Sequence, residues 1–278
     1  MNFVEKLLQA SRVQNSLLCV GLDPEPSRFP PRFRGEDKEL LTVRFCKTMI
    51  EATAPYACAY KPNIAFFEVL GPNGMHVLEE VIRAVPPNLP VILDAKRGDI
   101  GNTARAYAET VFDVYRCDAV TVSPYLGHDS LTPFLDYAGK GVFVLCRTSN
   151  AGAHDLQDMR VRTDDGQERP LYEVVAQRVQ SWNTLGNCGL VVGATYPQEL
   201  RDIRALCPDM PILIPGVGAQ GGDLEAAVRA GVDAQGERAL VSVSRSILYA
   251  GSESDYATAA ATQARTLRDQ INQARASL

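Results

Sequence analysis

Residues 91–103 read VILDAKRGDIGNT, and the order of residue types in this stretch decides the fold. Val91, Ile92 and Leu93 form a short apolar run, which suits a strand buried on both faces. Asp94 and Lys96 follow at its end. Two positions apart on a strand, their side chains leave the same face, about 6–7 Å apart at a rise of about 3.3 Å per residue. Asp99 comes three residues after Lys96, and Asn102 or Thr103 is placed to cap the helical pattern that follows. Two carboxylates and an ammonium thus gather at the carboxyl end of a buried strand. In a barrel or open sheet of parallel strands, chemistry sits at that edge. A lone Asp-x-Lys is often no more than a surface salt bridge in a strand-to-helix loop. The whole DAKRGDI string after an apolar run reads better as a site.

Working outward, short apolar runs recur along the chain: Leu17–Leu22, Ala57–Lys61, Val91–Ala95, Ala119–Ser123, Val142–Cys146, Leu190–Gly193, Ile212–Pro215 and Leu240–Val243. Amphipathic segments lie between them, at Glu39–Thr53, Gly74–Ala84, Thr103–Tyr115, Leu171–Leu185, Pro197–Leu206 and Asp223–Ala230. Alternating strand and helix implies parallel strands with right-handed crossovers. Eight such units predict an α/β fold of the (β/α)8 TIM-barrel type, eight parallel strands with outer helices, spanning residues 1–278 as one domain. A doubly wound open sheet is the alternative, and it does not normally need eight strands. Two insertions follow strands and so fall on the catalytic face: Pro24–Gly35, rich in proline and arginine, and Ser149–Pro170, long and polar. Long loops there are often lids, and the stretch 149–170 is the candidate lid; a disordered surface insertion is the competing reading.

The chain has 278 residues, 46% of them hydrophobic and 22% charged, with a net charge of −5. That is enough apolar material for a sizeable core. The acidic balance argues against a nucleic-acid-binding surface. No apolar stretch reaches the length of a transmembrane helix, and residues 1–15 read as an amphipathic helix rather than a signal peptide. The seven cysteines are odd in number, form no CxxC and sit mostly in apolar runs. They read as buried free thiols of a reducing cytoplasm. His76, His128 and His154 are scattered without metal-ligand spacing, so no metal site is expected.

Residues 214–223 read IPGVGAQGGD. The glycines that follow the seventh predicted strand, Gly218 among them, let backbone N–H groups approach an anion, and Asp223 is placed to cap the next helix. Arg245, just past the eighth strand in VSVSRSI, offers a charge-assisted contact. Phosphate sites in such barrels are often built from these two loops. Two more strand ends carry charge towards the mouth, Asp23 in LLCVGLDP and Lys61 in AYKPN.

The ordered set CVGLDP, AYKPNIAFFE, LDAKRGDIGNTA, GATYPQEL, PGVGAQGG and SRSI resembles the orotidine 5′-phosphate decarboxylases, over essentially the whole chain. The length and the long loop after the fifth strand resemble the longer bacterial group. Ser244 departs from the commonest pattern, where many members carry glycine before the arginine; a serine N–H can still donate to phosphate. The resemblance implies conversion of orotidine 5′-phosphate to uridine 5′-phosphate, the last step of de novo pyrimidine nucleotide synthesis, without cofactor or metal. It implies catalytic roles for Lys61, Asp94, Lys96 and Asp99. Lys96 would stabilise and protonate a C6 carbanion. Asp99, with Ile100 and Thr103 beside it, would reach into the neighbouring subunit's site, which implies a homodimer. Asp23 and Lys61 would contact the ribose, Ser149 the pyrimidine, and Gln220 and Arg245, with Gly218 and Ser244, the phosphate. Two other readings remain: a Mg2+-dependent 3-keto-L-gulonate 6-phosphate decarboxylase, which would place a carboxylate where Lys61 stands, and a non-catalytic phosphate-binding barrel.

Overall fold

The computed structural model describes residues 1–33, 37–217, 221–252 and 254–276. The eight apolar runs are eight strands: β1 (Leu18–Leu22), β2 (Ala59–Pro62), β3 (Ile92–Arg97), β4 (Ala119–Val122), β5 (Gly141–Arg147), β8 (Cys188–Val192), β9 (Ile212–Pro215) and β10 (Ala239–Val243). A short antiparallel hairpin, β6 (Arg160–Arg162) and β7 (Glu168–Pro170), lies in the segment after β5. The eight form one parallel sheet in the order β2-β1-β10-β9-β8-β5-β4-β3. Bridges from Tyr60 to Val91 and from Asn63 to Asp94 bring its two ends together, so the sheet closes into the expected (β/α)8 barrel.

Helices pack around the barrel, with α1 (Phe3–Val13) across its amino-terminal end. The others are α2 (Lys38–Thr53), α3 (Ala65–Glu68), α4 (Gly74–Ala84), α5 (Gly101–Glu109), α6 (His128–Leu135), α7 (Leu171–Trp182), α8 (Pro197–Leu206), α9 (Leu224–Gly231), α10 (Arg245–Leu248) and α11 (Tyr256–Ala276). Asp37 caps α2 and Asp223 caps α9 through their side chains. The helix read at Thr103–Tyr115 differs in detail. It starts at Gly101, and Thr110–Val114 forms a π-helical turn. Neither Asn102 nor Thr103 caps it; both lie inside its first turn. Gly101, at φ 56°, lets the chain enter the helix early, and the Asp99 carboxylate accepts the Ile100 N–H at 2.8 Å. No described helix is long and apolar enough to cross a membrane.

Residues two apart on each strand point the same way, so the barrel interior is filled in layers. The lower layer is apolar: Cys19, Ala59, Ile92, Ala119, Phe143, Leu213 and Leu240 cluster there with Phe3 and Leu7 of α1. Helix α1 plugs the amino-terminal end of the barrel. Asn2 and Glu5 form a reciprocal capping box at its start, each side chain accepting the other's backbone N–H at 2.9 Å. A second, larger apolar cluster fills the space between strands and helices. All seven cysteines are buried and free, and burial pushes Cys207 up to about 11 and Cys188 up to about 12.

The insertion at Pro24–Gly35 is not a free lid where it is described. Phe29 stacks on Phe45 of α2 at 4.2 Å between ring centres, and Phe33 meets Tyr256 edge-on at 5.6 Å. The Arg28 guanidinium lies 3.9 Å over Tyr249. The Tyr249 hydroxyl accepts the Glu25 N–H at 2.7 Å and donates to the Asp23 carbonyl at 3.1 Å. The insertion is therefore an aromatic strap that fixes the chain just after β1. Arg34 and Gly35 lie outside the described residues.

The plug has a measurable consequence. A Cβ on Gly141 would stand 2.3 Å from Cδ1 of Phe3, whose ring packs edge-on against Phe143. Gly141→Ala is expected to destabilise the fold by about 1–3 kcal/mol, the usual range for overpacking a core. Adding Phe3→Leu should recover part of that loss. Chemical denaturation of the two variants checks both, and a double variant no more stable than the single one would show that the ring is not the obstacle.

Candidate active site

Two residues further along the same strands, the inward-facing layer changes character. Lys61 follows Ala59, Asp94 follows Ile92, Thr121 follows Ala119 and Ser242 follows Leu240. All four are buried, and all line a cavity of about 650 Å3 at the carboxyl end of the barrel. Asp23, Lys96, Ser149, Ser244 and Arg245 also line it.

The Asp94 carboxylate is the junction of the charges. Its Oδ2 accepts from Lys61 Nζ at 2.9 Å and its Oδ1 from Lys96 Nζ at 2.6 Å. Lys61 is enclosed, whereas the Lys96 side chain is half exposed towards the cavity. Burial by itself would raise the Asp94 carboxyl, but Lys61 and Lys96 outweigh it and hold it well below the usual carboxylate range. Burial likewise depresses the Lys61 ammonium, and Asp94 and Asp23 more than reverse this. Asp94 and Lys61 are therefore both charged at neutral pH.

At the other wall of the cavity, β9 runs into a turn with Gly216 at φ 96°, and Val217 bridges to Gly222. Gly218 and Gln220 lie outside the described residues. Ser244 precedes the single turn of α10, in which Arg245 is the first residue and is exposed. The Ser244 side chain fits because β1 offers Gly21 opposite it; a Cβ there would stand 2.7 Å from Ser244 Cβ. Ser244 Oγ and Asp23 Oδ1 are buried polar atoms without a hydrogen-bond partner among the described residues, both on residues that line the cavity. Such atoms are costly unless a ligand or water meets them.

The segment after β5 is ordered rather than a loose insertion. Arg147, fully enclosed at the end of β5, lies 3.8 Å over Tyr196 and pairs with Asp158 at 3.1 Å. Gln157 accepts the Thr148 N–H at 2.9 Å and donates to Thr148 Oγ1 at 2.8 Å. This clasp closes the base of the loop. Ser149 tucks against β8 because Gly193 lacks a side chain, a Cβ there falling 2.7 Å from Ser149 Cβ. Sequence reasoning did not single out Asn63, Thr121, Thr148 or Gln157, all of which line the cavity. Period-two register from Ala119 would have pointed to Thr121. Nothing local marks Gln157, which returns to the site from nine residues away.

Residues 16–260 match the family described as orotidine 5′-phosphate decarboxylase / HUMPS family. The chain belongs to this family. A curated relative from Roseiflexus castenholzii, named orotidine 5′-phosphate decarboxylase, is 54% identical, with 99% of this chain and 98% of that one covered. One of the same name from Ralstonia pickettii is 52% identical, with 99% and 100% covered. The solved structure of the Leishmania donovani OMP decarboxylase superposes with a TM-score of 0.86 at 46% identity, covering 99% of each chain.

Of the residues that the family resemblance pointed to, Asp23, Lys61, Asp94, Lys96, Ser149, Ser244 and Arg245 meet around one cavity. Asp99, Ile100 and Thr103 do not line it. They lie on the segment that leaves β3, and Ile100 is 57% exposed.

The shifted charges set a pH dependence. A carboxyl with a depressed folded pKa adds stability that is complete above its unfolded value, near pH 4, and is lost as pH falls from there towards the folded value. A lysine with a raised folded pKa adds stability that is complete below about pH 10 and is lost as pH rises through the folded value. The melting temperature of the native chain should therefore fall more steeply between about pH 5 and pH 3 than that of Asp94→Asn, which has no carboxyl to protonate there. Parallel curves would show that Asp94 does not couple to folding.

Proposed function

We propose that this chain is a carboxy-lyase that decarboxylates orotidine 5′-phosphate to uridine 5′-phosphate, the last step of de novo pyrimidine nucleotide synthesis. Full-length similarity to decarboxylases of that name supports it. The observation that carries the chemistry is the Asp94 carboxylate held between two ammonium groups on the floor of a nucleotide-sized cavity. When the C6 carboxylate leaves as CO2, its bonding pair stays on C6, where no carbonyl can delocalise it. The Lys96 ammonium stabilises that charge, donates a proton to C6 and is reprotonated from solvent. Asp94 orients the Lys96 ammonium through the contact at 2.6 Å. Asp94 also opposes the substrate carboxylate by like-charge repulsion. Asp23 and Lys61 hold the ribose, Ser149 the pyrimidine, and Arg245 with Ser244, Gly218 and Gln220 the phosphate. The segment 149–170 is a lid on a single barrel domain, and phosphate binding supplies energy to close it.

The enzyme works as a homodimer in the cytoplasm, needs no cofactor or metal, and has neither nucleic acid nor membrane as a partner. Asp99, Ile100 and Thr103 serve the neighbouring subunit's site. Their position outside their own cavity supports this, as do the exposed apolar side chains Ile100, Tyr125 and Leu126 at this end of the barrel. Lys61, in place of a carboxylate, speaks against the Mg2+-dependent alternative.

Mixing the protein with orotidine 5′-phosphate and following the loss of its ultraviolet absorbance tests the reaction. Turnover should survive exhaustive chelation. Lys96→Ala should lower kcat by at least about 10,000-fold while uridine 5′-phosphate still binds. Loss on chelation with rescue by Mg2+ would instead favour the metal-dependent reading, and no turnover at all the non-catalytic one.

The shared site has its own test. Asp99→Ala and Lys96→Ala subunits, each inactive alone, should regain up to about half the native activity per mixed dimer once exchanged, because one of its two sites is then intact. Absence of recovery, with exchange demonstrated, would place Asp99 in its own subunit's site.

A further inference from the structure

Strand β3 does not run straight into the reactive end. Its register against β4 pairs Leu93 with Val120 but Arg97 with Val122, so β3 spends four residues where β4 spends two. The extra length is a bulge, and it contains Lys96, which sits in the left-handed region at φ 47°. A lysine gains nothing from that conformation and is held there only by its surroundings. The N–H groups of Ala95 and Lys96 are part-buried in the bulge, and N–H groups shielded from water need acceptors.

One side chain meets all of these demands. The Thr121 hydroxyl, buried on β4, accepts the Ala95 N–H and the Lys96 N–H, each at 3.0 Å, and stands 2.9 Å from Asp94 Oδ1. A hydroxyl has two lone pairs and one proton. Both lone pairs are taken by backbone N–H groups, so the proton is directed to Asp94. The same Asp94 oxygen accepts from Lys96 Nζ at 2.6 Å. The hydroxyl thus grips the backbone of Lys96 from one side and the carboxylate that orients its ammonium from the other.

We propose that Thr121 is a positioning residue for decarboxylation, whose hydroxyl holds the Lys96 bulge and the Asp94 carboxylate in the one arrangement that aims Lys96 Nζ at the reacting carbon. This rests on the proposed role of Lys96. Thr121 need not touch the substrate. Its effect belongs in the chemical step, since displacement of a reacting group by about 1 Å can cost on the order of 100-fold in rate.

The test compares Thr121→Val, which keeps the shape and removes the hydroxyl, with Thr121→Ser, which keeps the hydroxyl, and with Lys96→Ala, in steady-state turnover of orotidine 5′-phosphate. Thr121→Val should lower kcat by about 10–100-fold with KM within about 3-fold, and Thr121→Ser should stay within about 3-fold of native in both. Should Thr121→Val fail to fold, Thr121→Cys carries the same comparison, because a thiol occupies the site but is a weak donor and acceptor. The proposal is overturned if the hydroxyl-free variant keeps native kcat, if its loss lies in KM, or if Thr121→Ser loses as much. If Lys96→Ala itself turns over normally, the reading of Lys96 fails, and the proposal with it. If Lys96→Ala is inactive and Thr121→Val is fully active, only the role of Thr121 is lost.

Discussion

A carboxylate shared by two ammonium groups at the mouth of the barrel is the constraint on which the rest of this structure depends. Asp94 accepts from Lys61 through one oxygen and from Lys96 through the other. Burial disfavours the charged form of both Asp94 and Lys61, and the opposite charges beside each outweigh it. Such a cluster is favourable only while its geometry is held, because an ion displaced from its partners in a low-dielectric site is expensive. Much of the surrounding architecture can be understood as the means of holding it.

The means are spread over the whole barrel. From below, the apolar layer of Cys19, Ala59, Ile92, Ala119 and Phe143, closed off by Phe3 and Leu7 of α1, supplies a dry floor. From the β1 side, the strap of Phe29 and Phe33 over Phe45 and Tyr256 steadies the chain around Asp23, and the Tyr249 hydroxyl pins its backbone. From the β5 side, Arg147 and Gln157 tie down the base of the segment that carries Ser149. These contacts come from different parts of the chain and brace the site on three sides. It is open where the Lys96 side chain is half exposed.

The reactive end of β3 shows how a barrel can depart from regularity to good purpose. A regular strand would have sent Asp94 and Lys96 from the same face at the spacing of alternate residues. The bulge instead brings the Lys96 ammonium back to 2.6 Å from the Asp94 carboxylate while its backbone adopts a left-handed turn. Local strain of this kind persists only where tertiary contacts over-determine it, and here Thr121 from the neighbouring strand provides them.

The chain's own pattern was enough to show eight parallel strands, their alternation with helices, and the strand ends that carry Asp23, Lys61, Asp94, Lys96 and Arg245, because burial on both faces leaves apolar runs and the fold places chemistry at their carboxyl ends. The motif strings were enough for the family. Local pattern could not reveal the start of α5, where Gly101 turns the chain before Asn102 or Thr103 can cap it, nor that residues 24–33 form a strap, because that depends on Phe45, Tyr249 and Tyr256 arriving from elsewhere. It could not show Gln157 or the grip of Thr121 either. A threonine in a strand is ordinary, and its three hydrogen bonds exist only once β3 bulges beside β4. Periodicity is a property of one segment and can be read from it. The geometry of a site is a property of several segments meeting, and only the closed barrel sets the distances between them.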